Sequence, residues 1–216
     1  MVIEFFFDPV SPYAWLAGTR LDELGSRTGK NIVVRPILFA GLLKAHGHLG
    51  PAEIPAKRRY IFRDVMRRAS DYGLTLQGPP EHPFNPLKAL RIATAIDTDA
   101  QRRAFAVNVM NAAWSSGRDL NDDSVLDEIA QEVGLESHWW RKAIDDPDVK
   151  QKLIASTQQA IDGDIFGVPT FRTGNELFWG DDSINDLVRR IEGHVVDEAK
   201  LAVILSRESG VAQRKR

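Results

Sequence analysis

Ser11-Pro12-Tyr13-Ala14 and Gly167-Val168-Pro169-Thr170-Phe171 are the two stretches whose residue types could do chemistry together. Ser11 follows a strand-like run, Val2 to Asp8, stopped by Pro9, and Pro12 suits the first position of a helix, so Ser11 is placed as an N-cap. The free N–H groups and dipole of a helix start favour an anion, and a serine hydroxyl there can donate a hydrogen bond to it. Such stabilisation lowers the pKa of a thiol and holds it as thiolate. Ser-Pro is also a good capping pair and needs no ligand to explain it. The chain has 0 cysteines, so any thiol at this place must come from outside. The same count excludes disulfides, thiolate metal sites and disulfide-exchange chemistry by the protein itself.

Val168-Pro169 adds a backbone element to the hydroxyl. A cis X-Pro bond at the head of a strand turns the N–H and C=O of the preceding residue outward, where they can pair with an extended peptide ligand. An ordinary edge-strand proline is the plain alternative. Trp179-Gly180-Asp181-Asp182-Ser183 then leads into a helix. Its free N–H groups could receive a carboxylate and an Asp side chain an ammonium, although a capped helix with acidic first-turn residues explains the pattern as well.

The elements that must position these residues follow from periodicity. Ala14, Ala17, Leu21 and Leu24 share one helical face, ended by Gly25 and Gly29, and Asn31 to Leu38 reads as a second strand. Strand, helix and strand form a β-α-β unit with parallel strands. From about Phe39 the character is helical: 57–72, 86–96, 99–116, 123–133 and 136–144 all read as helices, with a Pro-rich loop at 77–83. Strands return at 168–172 and 177–179 around the turn residues 173–176, followed by a helix over 182–194. The expectation is an α/β, thioredoxin-like fold interrupted by a large all-helical insertion. Residues 1–38 plus 160–205 would form the thioredoxin-like part, 39–159 the insertion and 206–216 a tail.

Composition narrows the function classes. The formal net charge of −2 gives no basic field for nucleic acid or an anionic membrane, and the basic Arg214-Lys215-Arg216 reads as a frayed terminus. No apolar run reaches the length of a membrane span, and the N-terminal stretch lacks the features of a signal peptide, so a cytoplasmic protein is the expectation. His46, His48 and His82 match no metal-ligand spacing, so no metal is expected. Arg59, Arg63 and Arg67 line one helix face, which reads as solvated.

Several stretches together resemble a known family: F-F-F-D-P-V-S-P-Y-A-W-L-A, G-L-L-K-A-H-G-H-L-G-P-A-E-I-P-A-K-R-R-Y, H-P-F-N-P-L-K-A-L-R, S-S-G-R-D-L-N-D, G-V-P-T-F and F-W-G-D-D-S. They are similar to the 2-hydroxychromene-2-carboxylate isomerases, the bacterial branch of the family that includes kappa-class glutathione transferases. The resemblance implies a DsbA-like fold with a helical insertion, bound glutathione, an aromatic small-molecule substrate and a homodimer. By position it makes Ser11 the catalytic residue that activates the glutathione thiol. Val168 and Pro169 supply backbone pairing, and Asp181, Asp182 and Ser183 bind the γ-glutamyl end. Lys44 and Asn85 fall in stretches that in the family line the substrate side, where Lys44 would meet a substrate carboxylate. The implied reaction is reversible thiolate addition to the chromene, ring opening, rotation and thiolate expulsion, without net redox change. Two departures stand out: Ser183 replaces the more frequent arginine, and His48 replaces Gln or Asn. A conjugating glutathione transferase and a non-catalytic thioredoxin-like module are the competing readings.

Overall fold

The computed structural model describes residues 2–207, so the basic Arg214-Lys215-Arg216 lies outside the described residues. A four-stranded sheet runs through it in the order β2-β1-β3-β4, from β1 (Ile3–Phe7), β2 (Ile32–Pro36), β3 (Thr170–Thr173) and β4 (Glu176–Trp179). β1 and β2 pair in parallel, with Phe5 opposite Val34, and β1 pairs antiparallel with β3, with Phe5 opposite Phe171. The parallel pair is the expected β-α-β unit, but its crossover holds two helices, α1 (Pro12–Gly18) and α2 (Leu21–Thr28). The break falls where Gly18 lies so close to Met110 that a Cβ would come within 2.6 Å of Met110 Cε. Just beyond it, the Thr19 hydroxyl bonds back to the Leu16 carbonyl at 2.8 Å. Both are causes that helical periodicity alone does not carry.

Between β2 and β3 run α3 (Phe39–His46), α4 (Pro55–Asp71), α5 (Leu87–Ala95), α6 (Asp99–Trp114), α7 (Asp123–Glu132), α8 (Trp139–Asp145) and α9 (Pro147–Asp162). α10 (Ile184–Ile191) and α11 (Glu198–Leu205) follow the sheet. α8 starts later than its sequence suggests because the Asp127 carboxylate takes the His138 N–H (2.7 Å), the Ser137 hydroxyl (3.0 Å) and the Trp140 indole N–H (3.1 Å). These bonds reach back across a helix, where no local cap signal exists.

Two apolar clusters enclose the sheet. Ile3, Phe5, Phe7 and Phe171 join Trp15, Leu16 and Leu24 and continue without interruption into Phe105, Met110, Trp114, Leu126 and Trp140 of the helical block. The opposite face is smaller: Phe6, Ile37, Leu42, Ala160, Ile165 and Val168, covered by α3 and α9. Alternation along β1 explains the split, since successive side chains point to opposite faces. The helical block and the sheet are therefore one packed body on one face, and a cleft opens where that packing stops, at the end of β1 and the start of α1.

Candidate active site

Ser11 is the N-cap of α1: its Oγ accepts the Ala14 N–H at 3.3 Å, and it donates to the Val168 carbonyl at 3.2 Å. Both bonds are long, so the hydroxyl proton can turn to a stronger acceptor at little cost. The Val168–Pro169 bond is cis, as the strand-head proline suggests. Residues 157 apart in sequence thus meet at the N-terminus of a helix. The Pro169 carbonyl in turn accepts the Gly180 N–H at 2.9 Å, which ties the third stretch to the second. The Trp179 indole lies across Gly167, where a Cβ would come within 2.6 Å of its Nε1, and meets Phe166 in a tilted pair, 5.1 Å between centroids and 60° between planes.

These residues form one wall of a cleft of about 1140 Å³. The other wall comes from α3, the 47–54 segment and the start of α4, with Phe39, Leu43, Leu49, Ile54, Lys57 and Tyr60, while His82 and Phe84 close one side. Two buried supports hold the loop before Ser11. Trp114 Nε1 donates to the Pro9 carbonyl at 2.9 Å, and Trp15 Nε1 fastens α1 to Asn111 of α6 at 2.9 Å. The helical block therefore fixes the position of Ser11 directly.

Asp8, fully buried, accepts the Val10 N–H (3.0 Å) and the Phe39 N–H (2.9 Å), joining the Ser11 loop to the first turn of α3. Burial pushes its carboxyl up to about 7, against the pull of those two N–H donors. His82 donates from Nε2 to the Val10 carbonyl (3.0 Å), leaving Nδ1 buried without a partner, and burial lowers its pKa against the pull of that carbonyl. Neither residue stands out in the sequence as part of the site. The Asp before Pro9 is the one local hint, because a buried carboxylate beside a proline turn commonly caps backbone N–H groups.

Asp181 and Asp182 part company. The Asp181 carboxylate is turned inward, 1% exposed, and receives Arg68 Nη1 at 3.0 Å and the Tyr72 hydroxyl at 3.2 Å. Its burial raises its pKa while Arg68 opposes the shift. Asp182 keeps its carboxylate 65% exposed, with a 3.4 Å contact to Arg68 Nη2. Arg68 also takes Asp64 at 2.9 Å, and Asp64 accepts the Tyr13 hydroxyl at 2.9 Å, so the network runs back to the residue after Pro12. The Ser183 hydroxyl donates to the Gly180 carbonyl at 2.8 Å. The cation absent at position 183 is thus present nearby, contributed from α4 by Arg68.

The two substrate-side residues lie elsewhere. Lys44 is exposed on the outer face of α3 and does not line the cleft, because Leu43 takes the inward position and the next residue sits about 100° further round the helix. Asn85 is exposed, and its Oδ1 accepts the Leu87 N–H at 3.1 Å, a cap for α5; its neighbours Phe84 and Pro86 line the cleft in its place. Among the described residues no three His, Asp or Glu side chains converge as a metal site. No helix among them is long and apolar enough to cross a membrane.

A family model described as a DSBA-like thioredoxin domain matches residues 2–192. The chain belongs to that family. Within the DsbA-like proteins it is similar to the 2-hydroxychromene-2-carboxylate isomerase of Pseudomonas putida, 27% identical over 85% of this chain and 91% of that protein. Glutathione S-transferase kappa 1 of Rattus norvegicus is 27% identical over 78% of this chain and 79% of that protein. A solved structure of 2-hydroxychromene-2-carboxylate isomerase superposes with a TM-score of 0.83 at 26% identity, covering 96% of this chain and 100% of that one. The resemblance carried by the sequence motifs is therefore matched along nearly the whole DsbA-like chain. Relatives named as isomerases and glutathione transferases support an enzyme.

Proposed function

We propose that this DsbA-like protein is a glutathione-dependent isomerase that interconverts 2-hydroxychromene-2-carboxylate and trans-o-hydroxybenzylidenepyruvate in aromatic-compound degradation. One observation carries the reading: in a chain without cysteine, Ser11 Oγ sits at the N-terminus of α1, 3.2 Å from the Val168 carbonyl, on the wall of a large apolar cleft. When bound, glutathione supplies a thiolate that can add reversibly to an electrophilic carbon.

The residues present fit that tripeptide. The Ser11 hydroxyl, with two long bonds, is free to donate to the sulfur, and the α1 dipole favours the charged form. Val168 offers backbone groups for an extended ligand, held in place because Pro169 is tied to Gly180. Asp182, the open carboxylate of the pair, suits the γ-glutamyl ammonium, while Asp181 holds Arg68 behind it. Phe39, Tyr60, Phe84 and Trp179 give the cleft flat aromatic faces against which a bicyclic ring can lie.

Calorimetric titration of the protein with glutathione, followed by a spectrophotometric assay on 2-hydroxychromene-2-carboxylate, tests the proposal. Micromolar to low millimolar binding and glutathione-dependent isomer formation are expected. Glutathione binding with a conjugate as the product would make the chain a transferase, and no detectable binding would make it a non-catalytic module.

A further inference from the structure

We propose that Lys57 is the specificity-determining residue of the cleft and pairs with an anionic group on the aromatic second substrate; this rests on the isomerase reading above. Among the described residues that line the cleft, Lys57 is the one lysine or arginine. Its ammonium makes no ion pair among the described residues, whereas Lys88 and Lys150 each hold an aspartate. Lys57 is exposed to the cleft, and Glu53, Ile54, Ala56, Tyr60 and Ile61 line it on either side.

The cation also stands where a helix disfavours one. Lys57 lies in the first turn of the 17-residue α4, whose N-cap position, Ile54, has no capping side chain and whose first turn has no acidic residue. A lysine at a helix N-terminus opposes the macrodipole, and nothing in the first turn of α4 offsets it. A bound anion would meet the ammonium and the helix end together. Two acidic side chains line the same cleft, and both are already engaged: Glu53 Oε1 accepts the Gly50 N–H at 2.6 Å, and Asp8 holds two backbone N–H groups. Ser11 and Lys57 both line this cleft, one at the start of α1 and the other in the first turn of α4, so a reacting carbon and a charged substituent have separate polar groups to meet.

The test is calorimetric binding of 2-naphthoate and its neutral counterpart 2-naphthamide to wild type, Lys57→Met and Lys57→Arg, without glutathione. Naphthoate affinity should fall by about tenfold in Lys57→Met, the loss of one charge-assisted pair, and be largely kept in Lys57→Arg. The amide should bind all three within about twofold, since it carries no charge for the pair. Equal affinities for naphthoate across the variants, a parallel loss for the amide, or no naphthoate binding to the wild type at millimolar concentration would each overturn the assignment. Glutathione titrations of the same proteins keep the two proposals apart. A wild type that discriminates naphthoate through Lys57 but does not bind glutathione would sink the isomerase reading and leave the anion assignment standing.

Discussion

The sheet side of the cleft, from Ser11 to Val168, and the helical side, from Gly47 to Lys57, differ in how much of their polar chemistry is already satisfied. On the sheet side almost every polar group has a partner inside the protein: Asp8 to Val10 and Phe39, Ser11 to Val168, Pro169 to Gly180, and Asp181 to Arg68 and Tyr72. On the helical side, Leu49, Lys57 and Tyr60 are exposed. The difference teaches where precision and adaptability sit. A fixed wall suits a ligand held in one pose, and an open apolar wall suits one held mainly by its flat surface.

Removing the Ser11 hydroxyl from the fixed wall should have the largest effect. Ser11→Ala is expected to lower turnover on the order of 10²-fold, the cost of one preorganised donor, with the fold intact by circular dichroism. Turnover within threefold of wild type would show that the ordered wall only supports the site.

The next effect tests whether order on that wall depends on Arg68. Arg68→Met leaves the Asp181 carboxylate, 1% exposed, without its cation. Removing one partner of a buried pair costs about 3–5 kcal/mol, reduced here to about 1–2 kcal/mol because solvent screens the guanidinium. For a chain of this size that is a fall in melting temperature of roughly 2–8 °C, together with weaker glutathione binding if the γ-glutamyl end docks there. Adding Asp181→Asn should recover most of the stability. Failure of that rescue would assign the loss to Asp64 or Asp182.

The last test concerns pH. Burial raises the Asp8 carboxyl from the ordinary aspartate range to about 7 in the folded chain, so the folded state binds its proton more tightly than the unfolded one. The stability contributed by protonated Asp8 is fully present below about pH 4 and is lost as pH rises through about 7. Melting temperature measured across this window should fall more steeply for wild type than for Asp8→Asn. Parallel curves would mean that Asp8 is ionised throughout, held by its two N–H donors.

Much of this was legible in the chain. The absence of cysteine, Ser11-Pro12 after an apolar strand and Pro169 heading a strand are local patterns with local physical causes: capping, fixed proline geometry and alternation. The fold class followed from the order of strand and helix signals. Contacts between distant elements were not legible. The break after Gly18 needed Met110, the late start of α8 needed Asp127, and the roles of Asp8 and His82 needed Phe39 and the Val10 carbonyl. Lys44 and Lys57 are both lysines in motif stretches, and only the rotation of α3 and the direction of α4 decide which of them lines the cleft.

What the sequence by itself determined is the chemistry that is possible: no thiol of its own, a hydroxyl at a helix start, a proline-headed strand, and acids before a final helix. Tertiary structure decided which of those groups are spent on the protein and which remain open. Asp181 and Asp182 are identical in type and adjacent in the chain, yet one is buried against Arg68 and Tyr72 while the other faces solvent. The physical reason is that burial and partner geometry belong to surfaces brought together from distant parts of the chain, and the availability of a carboxylate or an ammonium is set by those surfaces.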